Sequence, residues 1–284
     1  MKDKYEELKK ISERLNKLDE SKARYFGSGA PAIPLRKEVR RIVDLMQSIM
    51  FEDYFETEGD YGENILRVER LFDLVKMQIS AAYSFQGKDA VVDTESIALD
   101  ILSKLPGLKE ALIKDVQAIY EGDPAAVSPE EVILSYPGFY AISIYRIAHE
   151  FYLRNIPYIS RMMTEYAHEK TGIDIHAGAT IGEYFFIDHG TGVVIGETAT
   201  IGDRVKIYQG VTLGAKSFEL DENGNPVKGG IKRHPDIGNG CVIYANATIL
   251  GGRTKIGDGA IIGADVWVTS SVEPGTVVYY GKNG

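Results

Sequence analysis

Apolar residues in the first 170 positions of the chain recur at helical spacing. The first stripe consists of Leu8, Ile11, Leu15 and Leu18, which are three or four residues apart. Further stripes follow Pro34, run from Ile65 to about Ser84, flank Pro106 on both sides, and cover Phe139–Leu153 and Ile159–His168. This period predicts amphipathic helices, and an ordinary helical core explains such stripes better than a specific partner surface does.

A different period begins near residue 175. Aliphatic residues return at every sixth position in four series: Ile175, Ile181, Ile187 and Val193; Ile195, Ile201, Ile207 and Leu213; Ile237, Ile243 and Ile249; Ile256, Ile262 and Val268. This period fits neither a helix nor a single strand. Three short strands, each ending in a turn, would form one triangular coil of about 18 residues with the aliphatic side chains inside. The pattern therefore predicts a hexapeptide parallel β-helix.

Glycine content divides the chain at about the same place. Residues 1–170 contain 8 of the 30 glycines and residues 171–284 contain 22, so the first part suits helices and the second suits tight turns. We therefore expect an α+β protein, with an α-helical domain over residues 1–171 and a left-handed parallel β-helix over residues 172–284. The hexads stop between Leu213 and Ile237, which predicts an extruded loop over residues 214–236.

Composition and charge narrow the functional classes. The chain has 284 residues, 44% hydrophobic content and a formal net charge of −9, which suits a soluble globular protein and disfavours nucleic acid as a partner. No apolar stretch approaches the ~20 residues of a membrane span, and the first residues lack the apolar core of a signal peptide. Cys241 is the single cysteine, which excludes an internal disulfide, so we expect a cytoplasmic protein without membrane association.

Polar blocks surround the histidines of the repeat region. They are Asp174-Ile175-His176, Asp188-His189-Gly190-Thr191-Gly192 continuing to Ala199, Gln209-Gly210-Val211-Thr212-Leu213-Gly214, and Arg233-His234-Pro235. Two more lie in the helical part, Asp123-Pro124-Ala125 and Tyr136-Pro137-Gly138-Phe139 continuing to His149. Over roughly residues 90–275 the chain resembles the serine O-acetyltransferase family. The Asp-His-Gly-Thr-Gly and Arg-His-Pro blocks are specific within hexapeptide-repeat proteins.

The resemblance implies transfer of an acetyl group from acetyl-CoA to the hydroxyl of L-serine, which gives O-acetylserine for cysteine biosynthesis. A serine hydroxyl is a weak nucleophile at neutral pH, so a base must accept its proton, and imidazole titrates in the right range. The resemblance assigns this role to His189, whose turn position should face outward. It assigns Asp174 to hold the imidazole in the correct tautomer and to support its positive charge.

The acceptor is a zwitterion, so complementary charges are expected around it. The family match places Asp123 and Asp188 at the ammonium group of serine. It places Arg233 at the carboxylate, because a guanidinium offers a fork of donors, and His234 adds a further donor. Structural explanations exist beside these: an aspartate can cap a helix or a turn, and Arg233 can form a loop salt bridge.

Acetyl-CoA needs a groove in which its pantetheine arm lies against backbone, so small residues are expected along it. By the family match these are Gly214, Ala215, Ala245 and Ala264. The basic candidates for the CoA phosphates are Lys216, Lys228, Lys232, Arg253 and Lys255. Basic loop residues are more commonly just solvated.

Three other functions fit the repeat. An acetyltransferase for a sugar or nucleotide-sugar acceptor would keep the turn histidine and acetyl-CoA. A zinc enzyme of the carbonic-anhydrase type needs three converging histidines, which His176, His189 and His234 supply in number, but Arg233 would repel a cation. A non-enzymatic scaffold would not require the Asp-His and Arg-His pairs. We expect no metal.

The resemblance also implies partners. Flat outer faces and a groove shared by two subunits predict a homotrimer, and in the family the helical part often pairs trimers into hexamers. L-Cysteine resembles serine and is expected to inhibit by competing for the same groups. Many family members dock a C-terminal isoleucine tail into O-acetylserine sulfhydrylase. The sequence as given ends at Gly284 without an isoleucine tail, so the tail is missing or not included, and we do not carry that complex over as an expectation.

Overall fold

Eight α-helices precede fourteen short β-strands in the described part of the chain. The structure, a computed structural model, describes residues 2–22, 32–55, 64–87, 92–217, 221–222, 224–225, 227 and 231–279, and their side chains except those of residues 2–3 and 18–22. The helices are α1 (Lys2–Lys22), α2 (Arg36–Met50), α3 (Asn64–Phe85), α4 (Thr94–Leu102), α5 (Leu105–Gly122), α6 (Pro129–Ser135), α7 (Pro137–Leu153) and α8 (Ile159–Thr171). The strands are β1 (Asp174–Ile175), β2 (Thr180–Ile181), β3 (Phe186–Ile187), β4 (Val194–Ile195), β5 (Thr200–Ile201), β6 (Lys206–Ile207), β7 (Thr212–Gly214), β8 (Asp236–Ile237), β9 (Val242–Ile243), β10 (Thr248–Leu250), β11 (Lys255–Ile256), β12 (Ile261–Ile262), β13 (Trp267–Val268) and β14 (Val277–Val278).

Local signals in the sequence set several helix ends. Asp93 caps α4 by accepting a hydrogen bond from the Ser96 backbone N–H at 3.0 Å. α8 ends at Gly172, whose φ of +69° is the left-handed conformation that glycine adopts easily. Pro106 lies inside the first turn of α5 rather than between two helices, because a first-turn residue needs no intrahelical partner for its N–H. The apolar spacing does not predict α6, which begins after its Ser128 cap.

The first apolar stripe does not pack into the core. Leu8, Ile11 and Leu15 on α1 are 52–56% exposed, so the expectation of an ordinary core is wrong for this helix. The spacing produces a helix, but burial also requires a facing apolar surface, and no such surface covers these three side chains within the described residues. The later stripes do pack together, with Ile42 of α2 and Leu71 of α3 fully buried. None of the described helices combines the length and apolar character of a membrane span.

The strands form three parallel sheets. β1, β4, β7, β10 and β13 form sheet A; β2, β5, β8 and β11 form sheet B; β3, β6, β9, β12 and β14 form sheet C. Each coil passes from sheet A to sheet B to sheet C, so the sheets are the faces of a triangular prism. The hexad residues Ile195, Ile201 and Ile207 are at most 2% exposed and fill its interior. The predicted left-handed parallel β-helix of hexapeptide repeats is confirmed.

One residue of the predicted aliphatic series occupies a different place. β1 pairs with β4 so that Ile175 lies beside Ile195. Val193 therefore precedes its strand, as the small buried residue Ala199 precedes the next one. The next aliphatic series starts at Ile195, two residues after Val193, because the turn over residues 188–193 is two residues longer than the turns on either side of it.

The turns stack into three corners, which we name by the sheets they join. The C/A corner holds the turns from a strand of sheet C to the next strand of sheet A, and the A/B and B/C corners are defined in the same way. On the B/C corner, Asp203 accepts a hydrogen bond from the Glu183 backbone N–H at 2.8 Å. Asn239 accepts one from Asp203 at 2.9 Å, and Asp258 accepts one from Asn239 at 2.8 Å. This ladder satisfies turn donors and keeps the coils in register.

α7 attaches the helical part to the first coil of the β-helix. The Tyr145 hydroxyl donates a hydrogen bond to the Ala179 carbonyl at 2.5 Å, and Arg146 donates to the Gly182 carbonyl at 2.7 Å. The same guanidinium forms a buried ion pair with Asp115 of α5 at 2.6 Å. These contacts fix α5 and α7 relative to the turns that carry the candidate site.

Candidate active site

The turn between β3 and β4 presents His189 at the C/A corner. Its backbone is left-handed, with a φ of +56°, and the following Gly190 has a φ of +81°. The His189 side chain is 71% exposed, as the sequence predicts for an outward turn position. Its Nδ1 lies 3.6 Å from Oδ1 of Asp188, whose side chain is only 17% exposed. The corner thus offers an accessible imidazole with a carboxylate beside it.

Asp123 reaches this corner from the end of α5. The helical part approaches the coil so closely here that a Cβ on Gly138 would lie 2.4 Å from the Ile187 carbonyl oxygen, so glycine is needed at that position. The Asp123 carboxylate accepts hydrogen bonds from the Tyr136 hydroxyl at 2.6 Å and the Ala125 backbone N–H at 2.8 Å. These bonds lower the pKa of Asp123, and the first of them raises the pKa of Tyr136 to about 12.

Asp123 and the turn of His189 lie close enough to affect each other electrostatically, so we treat them as one cluster. The hydrogen bond between Tyr136 and Asp123 is the main cause of both pKa shifts. His189 adds to the lowered pKa of Asp123, and Asp188 adds to the raised pKa of Tyr136. Tyr208 borders the cluster: burial raises the pKa of its hydroxyl first, and both carboxylates contribute.

His234 lies at the A/B corner, where its surroundings keep the ring neutral. Its Nδ1 accepts a hydrogen bond from the Thr198 backbone N–H at 3.0 Å, so a neutral ring carries its hydrogen on Nε2. A Cβ on Gly196 would lie 2.0 Å from the ring, and the residue as a whole is 7% exposed. Burial, aided by the charge of Arg233, lowers the pKa of His234 to about 4. At neutral pH this residue is a hydrogen-bond donor.

Arg233 is held beside it by two residues of the preceding coil. Its guanidinium forms an ion pair with Glu197, whose carboxylate also accepts a hydrogen bond from the Tyr152 hydroxyl at 2.9 Å. Thr198 Oγ1 accepts hydrogen bonds from the backbone N–H groups of Arg233 at 2.9 Å and His234 at 3.1 Å. Burial opposes ionisation of Glu197, but the bonds from Arg233 and Tyr152 outweigh it and lower the pKa of this carboxyl.

The two corners are well separated within one chain. Tyr136 and Tyr152, which contact them from the two ends of α7, are 16 residues apart, and this corresponds to about 24 Å along a helix axis. In the part of the chain that the structure describes, no hydrogen bond or ion pair joins His189 to Arg233 or His234. We call the first cluster the C/A half-site (Asp123, Asp188 and His189) and the second the A/B half-site (Arg233 and His234).

Asp174 lies on the outer face of sheet A, between the half-sites. It belongs to β1 and pairs with Val194 of β4. Among the described contacts of this single chain there is no hydrogen bond or ion pair between Asp174 and His189, whose carboxylate neighbour is Asp188. Orientation of His189 by Asp174 therefore stays a prediction for the assembled protein.

The four small residues expected along the CoA groove are divided in the same way. Ala245 and Ala264 lie on the C/A corner, in the turns that follow β9 and β12. Gly214 ends β7 and Ala215 begins the long loop, both at the A/B corner. Each corner thus carries part of a surface with little side-chain bulk.

Basic residues gather beside the A/B corner. A cavity of about 330 Å³ lies between the loop and the turn after β10, and Lys216, Lys232 and Arg253 line it. Lys255 lies on β11 in sheet B. Lys228, the remaining candidate for a CoA phosphate, is outside the described residues.

The three histidines of the repeat region do not converge within the chain. His189 occupies the C/A corner, whereas His176 and His234 lie at the A/B corner. Nδ1 of His176 accepts a hydrogen bond from the Gly178 backbone N–H at 3.0 Å, and burial lowers its pKa. Over the described ranges, no group of three His, Cys, Asp or Glu side chains is placed to hold a metal ion.

Several side chains that build the half-sites have no role in the sequence interpretation. Glu197 and Thr198 lie in the block that runs from Asp188 to Ala199. The hexad register places their turn at the corner from which the loop with Arg233 leaves, so the register could have identified them. Tyr136 begins the block Tyr136-Pro137-Gly138-Phe139. The contact of Tyr152 with Glu197 depends on how α7 packs against the β-helix, and no local sequence pattern indicates that packing.

Comparison with known proteins decides the family. The profile of the family described as "Serine acetyltransferase, N-terminal" matches residues 50–143. A curated relative, the plasmid serine acetyltransferase of Synechococcus elongatus, is 55% identical over 261 residues, covering 87% of this chain and 81% of the relative. The chain belongs to the serine acetyltransferase family. The serine acetyltransferase of Bacillus subtilis is 45% identical over 174 residues, covering 59% of this chain and 76% of the relative.

Solved structures of serine acetyltransferases share the fold. Serine acetyltransferase 1 of Entamoeba histolytica in complex with L-cysteine has a TM-score of 0.74 and 39% identity, covering 84% of this chain and 86% of that one. The Neisseria gonorrhoeae serine acetyltransferase in complex with serine has a TM-score of 0.56 and 30% identity, covering 85% of this chain and 94% of that one. The prediction of an acyltransferase of the serine O-acetyltransferase type is confirmed, and a sugar acceptor is not favoured.

Proposed function

We propose that this chain transfers the acetyl group of acetyl-CoA to the hydroxyl of L-serine, with His189 as the general base. One observation carries the proposal: the two half-sites offer opposite chemistry, as a zwitterionic substrate requires. The C/A half-site has two carboxylates, Asp123 and Asp188, beside an accessible imidazole. The A/B half-site has the Arg233 guanidinium and the neutral ring of His234.

In the assembled site, serine would be held at both ends. Its ammonium group lies between the carboxylates of Asp123 and Asp188, and its carboxylate accepts hydrogen bonds from Arg233 and from Nε2 of His234. Glu197 binds one side of the guanidinium and so limits the directions that the remaining N–H groups take. Two anchored charges leave the hydroxyl in a defined position, which lowers the entropic part of the barrier.

The chemical step is a proton transfer coupled to acyl transfer. Nε2 of His189 accepts the hydroxyl proton while the serine oxygen attacks the thioester carbonyl carbon. The C–S bond of the tetrahedral intermediate then breaks, and the imidazolium returns the proton to the CoA sulfur. O-Acetylserine and CoA leave, and the imidazole is neutral again. We assign Asp174 to orient this ring and to support its charge in the assembled protein.

We assign the CoA arm to the small residues of the two corners. Ala245 and Ala264 would border it on one side, and Gly214 and Ala215 on the other. The cavity lined by Lys216, Lys232 and Arg253 suits the CoA phosphates, since it gathers positive charge beside Gly214. We propose no metal, because each step above uses only protein groups.

A homotrimer would join the two half-sites. A closed threefold arrangement can bring the C/A corner of each protomer against the A/B corner of the next. Sheet A lies between these corners, and its outer face exposes Val194 at 37% and Trp267 at 69%, which supports a contact there. The helical part could then pair two trimers into a hexamer.

L-Cysteine would inhibit by occupying the serine site, because it keeps the ammonium and carboxylate groups and replaces only the hydroxyl. The Entamoeba histolytica relative was solved with L-cysteine, which supports this proposal. We propose the cytoplasm as the compartment, since a reducing environment keeps the buried Cys241 thiol free.

Thiol release from acetyl-CoA, measured with a panel of hydroxyl acceptors, tests the proposed function. We expect release with L-serine, little release with sugars or nucleotide-sugars, and inhibition by L-cysteine that is competitive with serine. Release that depends on a sugar and not on serine would overturn the proposal. Cysteine inhibition that does not compete with serine would overturn the shared binding site.

A further inference from the structure

Both half-sites receive a tyrosine hydroxyl from the same helix. Tyr136, the N-cap residue of α7, donates to Oδ2 of Asp123 at 2.6 Å. Tyr152, in the last turn of α7, donates to Oε1 of Glu197 at 2.9 Å, and Oε2 of Glu197 pairs with Arg233. Each hydroxyl therefore acts on a carboxylate that binds, or positions a group that binds, one end of the proposed substrate.

The middle of α7 is fixed to the β-helix, so its two ends have defined positions. Tyr145 donates to the Ala179 carbonyl at 2.5 Å, and Nδ1 of His149 lies 2.7 Å from the Ala177 carbonyl oxygen. Arg146 donates to the backbone carbonyl that follows β2 at 2.7 Å. A helix attached to three carbonyl groups in two successive turns can hold Tyr136 and Tyr152 against neighbouring side chains without local rearrangement.

The hydroxyls restrict the orientation of their carboxylates. Asp123 has one oxygen bound by Tyr136 and the other by the Ala125 backbone N–H, so its rotamer is defined from both sides. Glu197 has one oxygen on Tyr152 and the other on Arg233, so the guanidinium is held through a carboxylate that is itself held. A bond to an ionised acceptor is stronger than one between neutral groups, which makes each hydroxyl an effective constraint.

We propose that Tyr136 and Tyr152 are positioning residues for opposite ends of serine, an inference that rests on the proposed function. Tyr136 orients Asp123 for the ammonium group. Tyr152 acts through Glu197 to orient Arg233 for the carboxylate. Because the half-sites of one chain belong to different serine sites in the proposed trimer, each α7 serves two neighbouring sites.

Three matched tyrosine variants isolate the hydroxyls. Tyr136→Phe and Tyr152→Phe each keep the ring and remove one donor. Tyr140→Phe is the control: Tyr140 also lies on α7 and is half-buried, but its hydroxyl donates to Tyr166 at 3.3 Å, away from both half-sites. We expect KM for serine to rise about tenfold in the first two variants, with kcat changed much less, and to stay unchanged in the control.

Fragments of serine separate the two roles. Ethanolamine keeps the ammonium and hydroxyl groups, and 3-hydroxypropionate keeps the carboxylate and hydroxyl groups, so each can be measured as an inhibitor that competes with serine. Tyr136→Phe should weaken ethanolamine about tenfold and leave 3-hydroxypropionate unchanged, and Tyr152→Phe should show the reverse pattern. A merely structural role would weaken both fragments equally in either variant, and this result, or no weakening at all, would overturn the inference.

A double-variant comparison tests whether each tyrosine acts through its carboxylate. If Tyr136 works only by positioning Asp123, adding Tyr136→Phe to Asp123→Asn should cause no further loss of serine affinity, whereas independent roles would add. The same comparison applies to Tyr152 and Glu197, with thermal unfolding measured for every variant. Wild-type protein that does not acetylate serine refutes the proposed function; wild-type protein that does, with additive losses in the double variants, refutes only this inference.

Discussion

The two corners of the prism hold their histidines in opposite ways. His189 is 71% exposed, stands on a left-handed residue of the turn and has a single carboxylate 3.6 Å away. His234 is 7% exposed, and its Nδ1 is occupied by the Thr198 backbone N–H at 3.0 Å. Burial and the charge of Arg233 keep the pKa of His234 at about 4. One ring is therefore accessible to a ligand, and the other is fixed as a neutral donor.

The contrast shows that residue type and proximity to a motif do not by themselves define the role of a histidine. Both histidines lie in specific blocks of the sequence, and both follow a charged residue. Their hydrogen-bond partners distinguish them: a ring whose Nδ1 is occupied by a backbone donor offers only Nε2–H to a ligand. The comparison supports the proposal that proton transfer belongs to the C/A half-site and carboxylate recognition to the A/B half-site.

Removal of the exposed ring should have the largest effect. His189→Ala eliminates the proposed base, so kcat should fall roughly 10²–10⁴-fold, with little change in thermal stability because the side chain is exposed. His168→Ala on α8, whose side chain is 45% exposed, is the matched control and should retain wild-type activity. Steady-state thiol release measures both. An unchanged kcat in His189→Ala would assign the base elsewhere.

The lowered pKa of the buried His234 ring should make the free energy of unfolding depend on pH. Between pH 6.5 and about 4 the unfolded chain binds a proton at His234 that the folded chain does not bind, so the free energy of unfolding falls as the pH drops through this range. The loss amounts to about 3 kcal/mol. His234→Asn keeps an acceptor for the Thr198 N–H but does not titrate, so its stability should fall less steeply. Urea unfolding at several pH values compares the two slopes; parallel slopes would contradict a depressed pKa.

A conservative change in the A/B half-site should affect binding more than turnover. Arg233→Lys keeps the charge but replaces the planar fork of donors, which can face Glu197 on one side and the substrate carboxylate on the other, with a single ammonium group, so KM for serine should rise about 30-fold with a smaller change in kcat. Arg161→Lys, on the exposed α8 pair with Glu165, is the control. If KM for serine did not move, the assignment of Arg233 to the carboxylate would fail.

The smallest effect should come from the basic cavity. Lys216 lines it and Lys255 does not. Lys216→Ala should raise KM for acetyl-CoA about threefold at low salt, and this difference should shrink as salt is added. Lys255→Ala should leave KM unchanged. Equal effects of the two variants would mean that general positive charge, and not this cavity, attracts the CoA phosphates.

The fold was predictable because its signal is repeated. Each hexad places an aliphatic residue inside the prism. The pattern therefore predicts the β-helix even though Val193 precedes its strand and does not lie in it. The apolar spacing of a single helix is a weaker signal than a repeat, because it occurs only once. The spacing on α1 predicts a helix correctly, but burial of Leu8 depends on a facing surface that spacing does not describe. The apolar spacing does not predict α6, because seven residues are too few for a period to appear.

The candidate site was predictable only as a set of residues. The resemblance names His189, Arg233 and His234, but the division into two half-sites follows from which corner each turn occupies. Contacts between elements that are distant in sequence, such as Tyr152 of α7 with Glu197 of the coil, require the packed structure. The neutral state of His234 likewise depends on burial and on a backbone donor, and neither can be read from a motif.

Mixing two impaired variants tests the shared site most directly. His189→Ala damages only the C/A half-site and Arg233→Ala only the A/B half-site. If each site combines corners of two protomers, trimers refolded from an equal mixture should regain about one quarter of the wild-type activity at low serine, because that share of the sites receives both intact corners. Each variant refolded alone is the control. Activity no higher than the average of the two variants alone, at every mixing ratio, would contradict a site formed between protomers.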